Sequence, residues 1–247
     1  MKSETTYCKN CEAIVSEQYC PNCGQRTNVD KVTFKETFQD LVDNIFSVNA
    51  PFFITLKLLF VNPGRLFREY LRGRRKTYYK PVSFFILITL VYLLVRALID
   101  YVPFQNSTIT VEDNSQSQLL TQARNFMMQN IDKFLFLFVI NLGILLKLFF
   151  YKKYRLAEFL AIGFYVAAVY TLMTTLNMFY VQYINPGFQF LAMLLMSLYF
   201  CYTMVSFFQT RKILTAIKSI VIFFMGIFSY GMLAFALSYV LILLKNP

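Results

Sequence analysis

The chain has 247 residues, 57% of them hydrophobic, and only 15% are charged, where a soluble domain carries roughly a quarter. The formal net charge is +11 and there is no histidine. Long unbroken apolar blocks exclude an ordinary soluble helical core, whose outward face would turn polar every third or fourth residue; the lack of histidine removes the commonest general base and any histidine-liganded metal site.

Residues 7–27 read YCKNCEAIVSEQYCPNCGQRT. Cys8, Cys11, Cys20 and Cys23 form two C-x2-C pairs separated by eight residues. Two such pairs supply four thiolates for a tetrahedral Zn²⁺, and the turn aims backbone amides at the sulfurs. With four Cys ligands no position stays open for substrate, so the zinc is structural. A segment this small needs a metal to fold. A disulfide or redox pair is the rival reading. It conflicts with the cytoplasmic placement deduced below, where thiols stay reduced. Residues 1–30 are thus expected to form a cytoplasmic zinc-ribbon-like module. They contain no hydrophobic stretch of signal-peptide type, so the first span is expected to act as its own insertion signal.

Residues 31–80 read as an amphipathic, basic juxtamembrane region. Thr33 and Glu36 have capping-box spacing, and Phe34, Phe38, Leu41, Val42, Ile45 and Phe46 follow at helical intervals. The apolar run 50–61 is too short to cross a bilayer alone, which points to an interfacial or re-entrant helix. Extended back to Ile45 it would barely span, and would place the zinc module outside. Asn62-Pro63-Gly64 supplies turn chemistry. A basic collar follows: Arg65, Arg68, Arg72, Arg74, Arg75, Lys76 and Lys80, seven cations in sixteen positions. Arg65, Arg68 and Arg72 share one helical edge, and Gly73 can end the helix.

Three partners compete for these cations. Juxtamembrane Lys and Arg gain about 1 kcal/mol each beside an anionic leaflet, and they set topology. The preference for Arg also suits a bidentate anion, lipid-headgroup or lipid-linked site. Nucleic acid is disfavoured, because the zinc module itself is not basic. Glu69, among the arginines, is expected to pair locally along its helix.

From residue 81 on the chain reads as a helical transmembrane domain, 81–247. A hydrocarbon core about 30 Å thick takes about 20 helical residues to cross. Five blocks approach that length, at 81–102, 134–151, 157–181, 188–208 and 217–244. Of the 24 basic residues, 13 precede the first block. Lys152, Lys153 and Arg155 lie between the second and third, and Arg211, Lys212 and Lys218 lie at the fourth-to-fifth junction. The alternate connections are poor in Lys and Arg. The positive-inside rule then puts the N-terminus in the cytoplasm and the C-terminus outside. Within the spans, Arg96 and Asp100 stand four apart and are expected to pair. Lys147 can snorkel or meet Glu158, which can also cap its own helix. No acidic residue falls at a span centre, which counts against a proton-coupled pump. No P-loop or nucleophile-elbow motif is present.

The four-cysteine start followed by NPGRLFREYLRGRRKTYYKPVSFF resembles a family of uncharacterised bacterial inner-membrane proteins. The residues carrying the likeness are Pro63, Gly64, Arg65, Glu69, Tyr70, Gly73, Arg75, Tyr79, Pro81, Ser83 and Phe84. The resemblance implies architecture and no established activity.

The sequence therefore describes an all-α membrane protein. It has about five spans, a small zinc module and interfacial amphipathic helices, in a bacterial inner membrane. Its expected partners are membrane lipids of the anionic leaflet, a cytoplasmic protein and further copies of itself. The expected role is a membrane-anchored binding or scaffold protein. An oligomeric transporter, channel or permeabilising effector is the alternative, and an enzyme on a lipid-linked anionic substrate comes third. The reading leans away from catalysis.

Overall fold

The computed structural model describes residues 6–27, 50–103, 115–151, 153–188 and 190–245. The described residues are all-α apart from one two-stranded hairpin and an isolated Tyr19–Arg26 bridge. Strands β1 (Thr6–Tyr7) and β2 (Ile14–Val15) pair antiparallel, with Thr6 opposite Val15 and Tyr7 opposite Ile14. The expected amphipathic helix over 33–46 lies outside the described residues. Among the described residues eight α-helices follow: α1 (Ala50–Val61), α2 (Pro63–Leu71), α3 (Pro81–Leu98), α4 (Ser115–Asn130), α5 (Leu135–Phe149), α6 (Leu156–Tyr183), α7 (Leu191–Phe208) and α8 (Lys212–Lys245).

Among the described residues four helical segments are long and apolar enough to cross a membrane: Pro81–Leu98, Leu156–Tyr183, Pro186–Phe208 and Lys212–Leu244. The expected span at 134–151 is instead the 15-residue α5, preceded by a 3-10 turn over Ile131–Phe134. At 1.5 Å per α residue and 2.0 Å per 3-10 residue, the two together rise about 30 Å. The first span is also shorter than expected: α3 ends at Leu98, well before Val102.

Helix α6 is the centre of the bundle. It packs on α3, α5 and α7, while α8 closes the ring between α5 and α7. Every residue from Ala161 to Val169 is buried, so α6 is apolar all round, as a helix enclosed by others must be. The outer helices show the reverse. Leu94, Leu148, Leu198, Phe224, Phe228 and Leu244 are exposed, the pattern that lipid, and not water, makes stable.

The helix ends sort into two groups. At one end lie α2, the start of α3, the end of α5, the start of α6 and the end of α7. They are tied by ring contacts of Tyr154 with Phe207 and of Phe150 with Phe208 at 5.1 and 4.1 Å, and by Lys153 donating to Thr210. At the far end, Arg96 at the close of α3 is ion-paired to Asp132 ahead of α5 and donates to the Gln129 and Tyr101 carbonyls. Tyr230 of α8 donates to the Ile131 carbonyl, and Asn177 of α6 to the Phe188 carbonyl.

These contacts correct the expected pairings. Arg96 does not pair with Asp100. Asp100 lies past the helix end at φ 49°, and the carboxylate that meets Arg96 belongs to Asp132. Lys147 does not meet Glu158. Its ammonium donates to the Tyr151 and Tyr154 carbonyls at 2.7 and 2.8 Å, satisfying backbone oxygens just past the end of α5. Glu158 accepts from the Arg155 backbone N–H at 2.6 Å and so caps the N-terminus of α6.

A four-cysteine cluster seated on the basic collar

Each C-x2-C pair folds as a tight knuckle. The Glu12 N–H donates to the Cys8 carbonyl, and the Gly24 N–H to the Cys20 carbonyl, at 2.9 and 2.8 Å. The residue after each second cysteine adopts left-handed backbone: Glu12 at φ 62° and Gly24 at φ 66°. Glycine suits that conformation, and Gly24 signals it in the sequence; glutamate at the matching place carries no such signal.

The four sulfurs lie within 4.8 Å of one another, Cys8 to Cys23 at 3.6 Å and Cys11 to Cys20 at 3.5 Å, and none is in a disulfide. Four thiolates about 2.3 Å from one tetrahedral ion stand about 3.8 Å apart. The sulfur cage therefore fits a metal ion. The backbone N–H of Cys23 lowers the Cys20 thiol to about 7, which favours the ligating thiolate, while burial pushes Cys23 up to about 11. The module has little else to hold it: its buried apolar cluster is Cys8, Val15 and Cys20.

This module sits directly on the basic collar. Gln25, two residues after Cys23, is buried, with 5% of its surface exposed. Its amide donates to the Gly73 carbonyl at 2.8 Å and accepts from the Arg75 and Lys76 N–H groups at 3.3 and 3.2 Å. Asn10, inside the first knuckle, accepts from the Thr77 N–H and hydroxyl at 3.1 and 2.5 Å. Glu12 pairs with Arg74 at 2.9 Å. Both knuckles thus grip one loop, 73–77.

The collar is in turn locked into the bundle. Asn62 caps α2 by accepting from the Arg65 N–H, and Pro63 occupies the first helical position, where its missing N–H costs nothing. Gly64 faces α7 so closely that a Cβ there would fall on the Ser206 carbonyl group. Arg68 donates to the Ser206 and Phe207 carbonyls at 2.5 and 3.1 Å, at the C-terminal end of α7, where carbonyls lack intrahelical partners. The relation is reciprocal: Tyr199 and Tyr202 of α7 donate to the Leu59 and Val61 carbonyls at the end of α1, at 3.1 and 2.8 Å. The buried Tyr165 of α6 stacks on Phe67, meets Tyr70 edge-on, and donates to the Tyr79 carbonyl. The Tyr79 N–H donates to the buried Thr55 hydroxyl. Phe84, one turn into α3, also lies against Tyr165.

Glu69 is the hub of the charges. Its carboxylate takes Arg65 at 2.8 Å, Arg74 at 3.5 Å and the Tyr78 hydroxyl at 2.5 Å. Burial alone would raise the Glu69 carboxyl, but the Tyr78 and Arg65 hydrogen bonds outweigh it and hold it below its usual value. Burial and the same Glu69 contact push the Tyr78 phenol up to about 12. Arg68 is lowered, first by burial and then by its neighbour Arg72.

The collar cations singled out in the sequence thus divide by task. Arg65 and Arg74 meet Glu69, Arg68 meets α7, and the backbones of Arg75 and Lys76 meet Gln25. Arg72 ends α2 beside Arg68, and Lys80 precedes α3. Sequence reasoning gave no role to Gln25, Asn10, Ser206 and Asp132. The first two were readable only as neighbours of cysteines, and the last two only in three dimensions.

Residues 50–93 match a family model described as a protein of unknown function (DUF3667). The matched stretch is α1, α2, the basic loop and most of α3. No curated protein and no solved structure matches the chain. The comparisons and the structure together describe an all-α chain with membrane-length helices, an uncharacterised-family segment and a cysteine cluster able to hold a metal ion.

Proposed function

We propose that this chain is a bacterial inner-membrane protein that serves as a membrane-anchored binding or scaffold protein. Its cysteine module holds a structural Zn²⁺ in the cytoplasm. All-thiolate tetrahedral ligation suits zinc, and a reducing compartment keeps the four thiols available. The Lys- and Arg-rich connections gather at the collar end of the bundle, which the positive-inside rule places in the cytoplasm.

The observation that carries the reading is the seating of the module on loop 73–77. The head is fixed to the bundle by Gln25, Asn10 and Glu12, so it presents a defined surface at the membrane face. Three of the charged groups expected inside the spans are spent on structure: Lys147 ties down the carbonyls of the connection after α5, Glu158 caps α6, and Arg96 meets Asp132. Glu69 is enclosed by Tyr78, Arg65 and Arg74. These commitments favour a scaffold over an ion relay or a carboxylate catalyst.

The test pairs two assays on the full chain. Reconstituted in phosphatidylethanolamine–phosphatidylglycerol vesicles with Zn²⁺, it should leave an entrapped dye inside. Cross-linked in intact cells, it should retain one defined cytoplasmic protein that Cys20→Ser loses. Protein-dependent leakage would replace the scaffold reading with a pore. Labelling of an N-terminal tag from outside intact cells would overturn the orientation.

A further inference from the structure

The three module residues that hold loop 73–77 are not scattered over its surface. Asn10 lies between Cys8 and Cys11, Glu12 follows Cys11, and Gln25 stands two residues past Cys23. Each is within two residues of a metal-ligating sulfur. Their positions depend on the knuckles, and the knuckles depend on the ligands. Without a metal the module retains two strands of two residues each and a buried cluster of Cys8, Val15 and Cys20. That is too little to define a fold.

We infer that metal occupancy of the four-cysteine site latches the basic loop 73–77, and that metal loss releases it. The inference rests on the metal reading above and adds a regulated element to it. In the latched state module side chains bond the Gly73 carbonyl and the Arg75, Lys76 and Thr77 N–H groups, beside the loop's own Arg75 N–H to Gly73 carbonyl bond at 2.9 Å. Arg74 bridges outward to Glu12 and inward to Glu69. Loss of the metal dissolves the outward bonds together. The inward Arg74–Glu69 contact and the α2 packing remain. Only the loop is set free, and its Arg74, Arg75 and Lys76 lie a few residues ahead of α3, at the membrane face. The latch is a two-state element biased by a ligand that binds one state, so by linkage the docked loop must also tighten metal binding.

The loop carries its own reporter, because trypsin cleaves after Arg74, Arg75 and Lys76. The full chain in detergent, saturated with Zn²⁺, should be cut slowly at these three bonds. Chelation of the wild type should speed cleavage by at least about tenfold, the scale set by losing several hydrogen bonds, most of them part-buried, at once. Gln25→Ala, still holding one Zn²⁺ per chain at saturating metal, should show a similar acceleration, and Asn10→Ala a smaller one. Its Zn²⁺ affinity should fall in parallel. Metal content, measured on each sample, separates the two ideas: a chain that binds no Zn²⁺ refutes the metal reading itself. A chain that binds Zn²⁺ but is cut equally fast with and without it, or in which Gln25→Ala changes nothing, refutes the latch alone.

Discussion

Replacing Gly64 by Ala tests how α2 is seated on the bundle. The added methyl would overlap the Ser206 carbonyl group and crowd the Ser206 hydroxyl. The obstacle is mainly backbone, so it cannot swing away, and α2 must retreat from α7. Retreat stretches the Arg68 bonds to the Ser206 and Phe207 carbonyls and the Ser206 bond to Asn62. It also loosens Leu66 and Phe67, which are 0% and 1% exposed. Overpacking costs about 1–3 kcal/mol, and loss of charge-assisted hydrogen bonds costs about 1.5–3 kcal/mol when complete. Partial relaxation brings the sum to about 3 kcal/mol. For a chain of this length a melting temperature falls about 2–4 °C per kcal/mol, so the drop should be about 6–12 °C. Heating the detergent-solubilised chain while following helical circular dichroism measures it. Gly231→Ala in α8 is the control, because nothing lies within 4 Å of that added carbon. Equal melting of the Gly64→Ala and Gly231→Ala proteins would refute the close approach.

At the far end of the bundle, Arg96→Met or Asp132→Asn alone should cost about 1–3 kcal/mol, since each strands a half-buried partner. The double variant should recover much of that in a double-mutant cycle, and Asp100→Asn should stay within about 0.5 kcal/mol of wild type. The collar should show two pH limits in its melting temperature. The Glu69 carboxyl is held below its ordinary 4.5, so its contribution is full above that pH and fades as pH falls through the lowered value. Tyr78 is raised from 10.0 to about 12, so its contribution is full below pH 10 and fades as pH rises through about 12. Glu69→Gln should flatten the acid limb and Tyr78→Phe the alkaline one; unchanged limbs would count against the hub.

Local signals in the sequence carried far. The C-x2-C pairs announced the sulfur cage, because ligand spacing is a property of a few consecutive residues. Unbroken apolar blocks marked the long helices, because a bilayer demands length. Glu69 with Arg65 followed the i,i+4 rule. The same rule misled at Arg96 and Asp100. It assumes the helix continues, whereas α3 stops at Leu98 and turns Asp100 away. The collar read chiefly as a topology and leaflet anchor, with an anion site as the alternative. Several of its cations instead meet groups far along the chain: Arg68 reaches carbonyls 138 and 139 residues away, and Arg74 reaches Glu12, 62 residues back. Periodicity has no record of such contacts. The motif residues make sense only afterwards, when Gly64 is seen against α7, and Tyr79 between Thr55 and Tyr165.

The account turns on four reduced cysteines sharing one metal above a membrane bundle, and native mass spectrometry of the full chain, released gently from its membrane, weighs that directly. The account requires one Zn²⁺ per chain in the wild type and none in Cys20→Ser. A metal-free wild-type chain, lighter by the hydrogens of two disulfides, would contradict it.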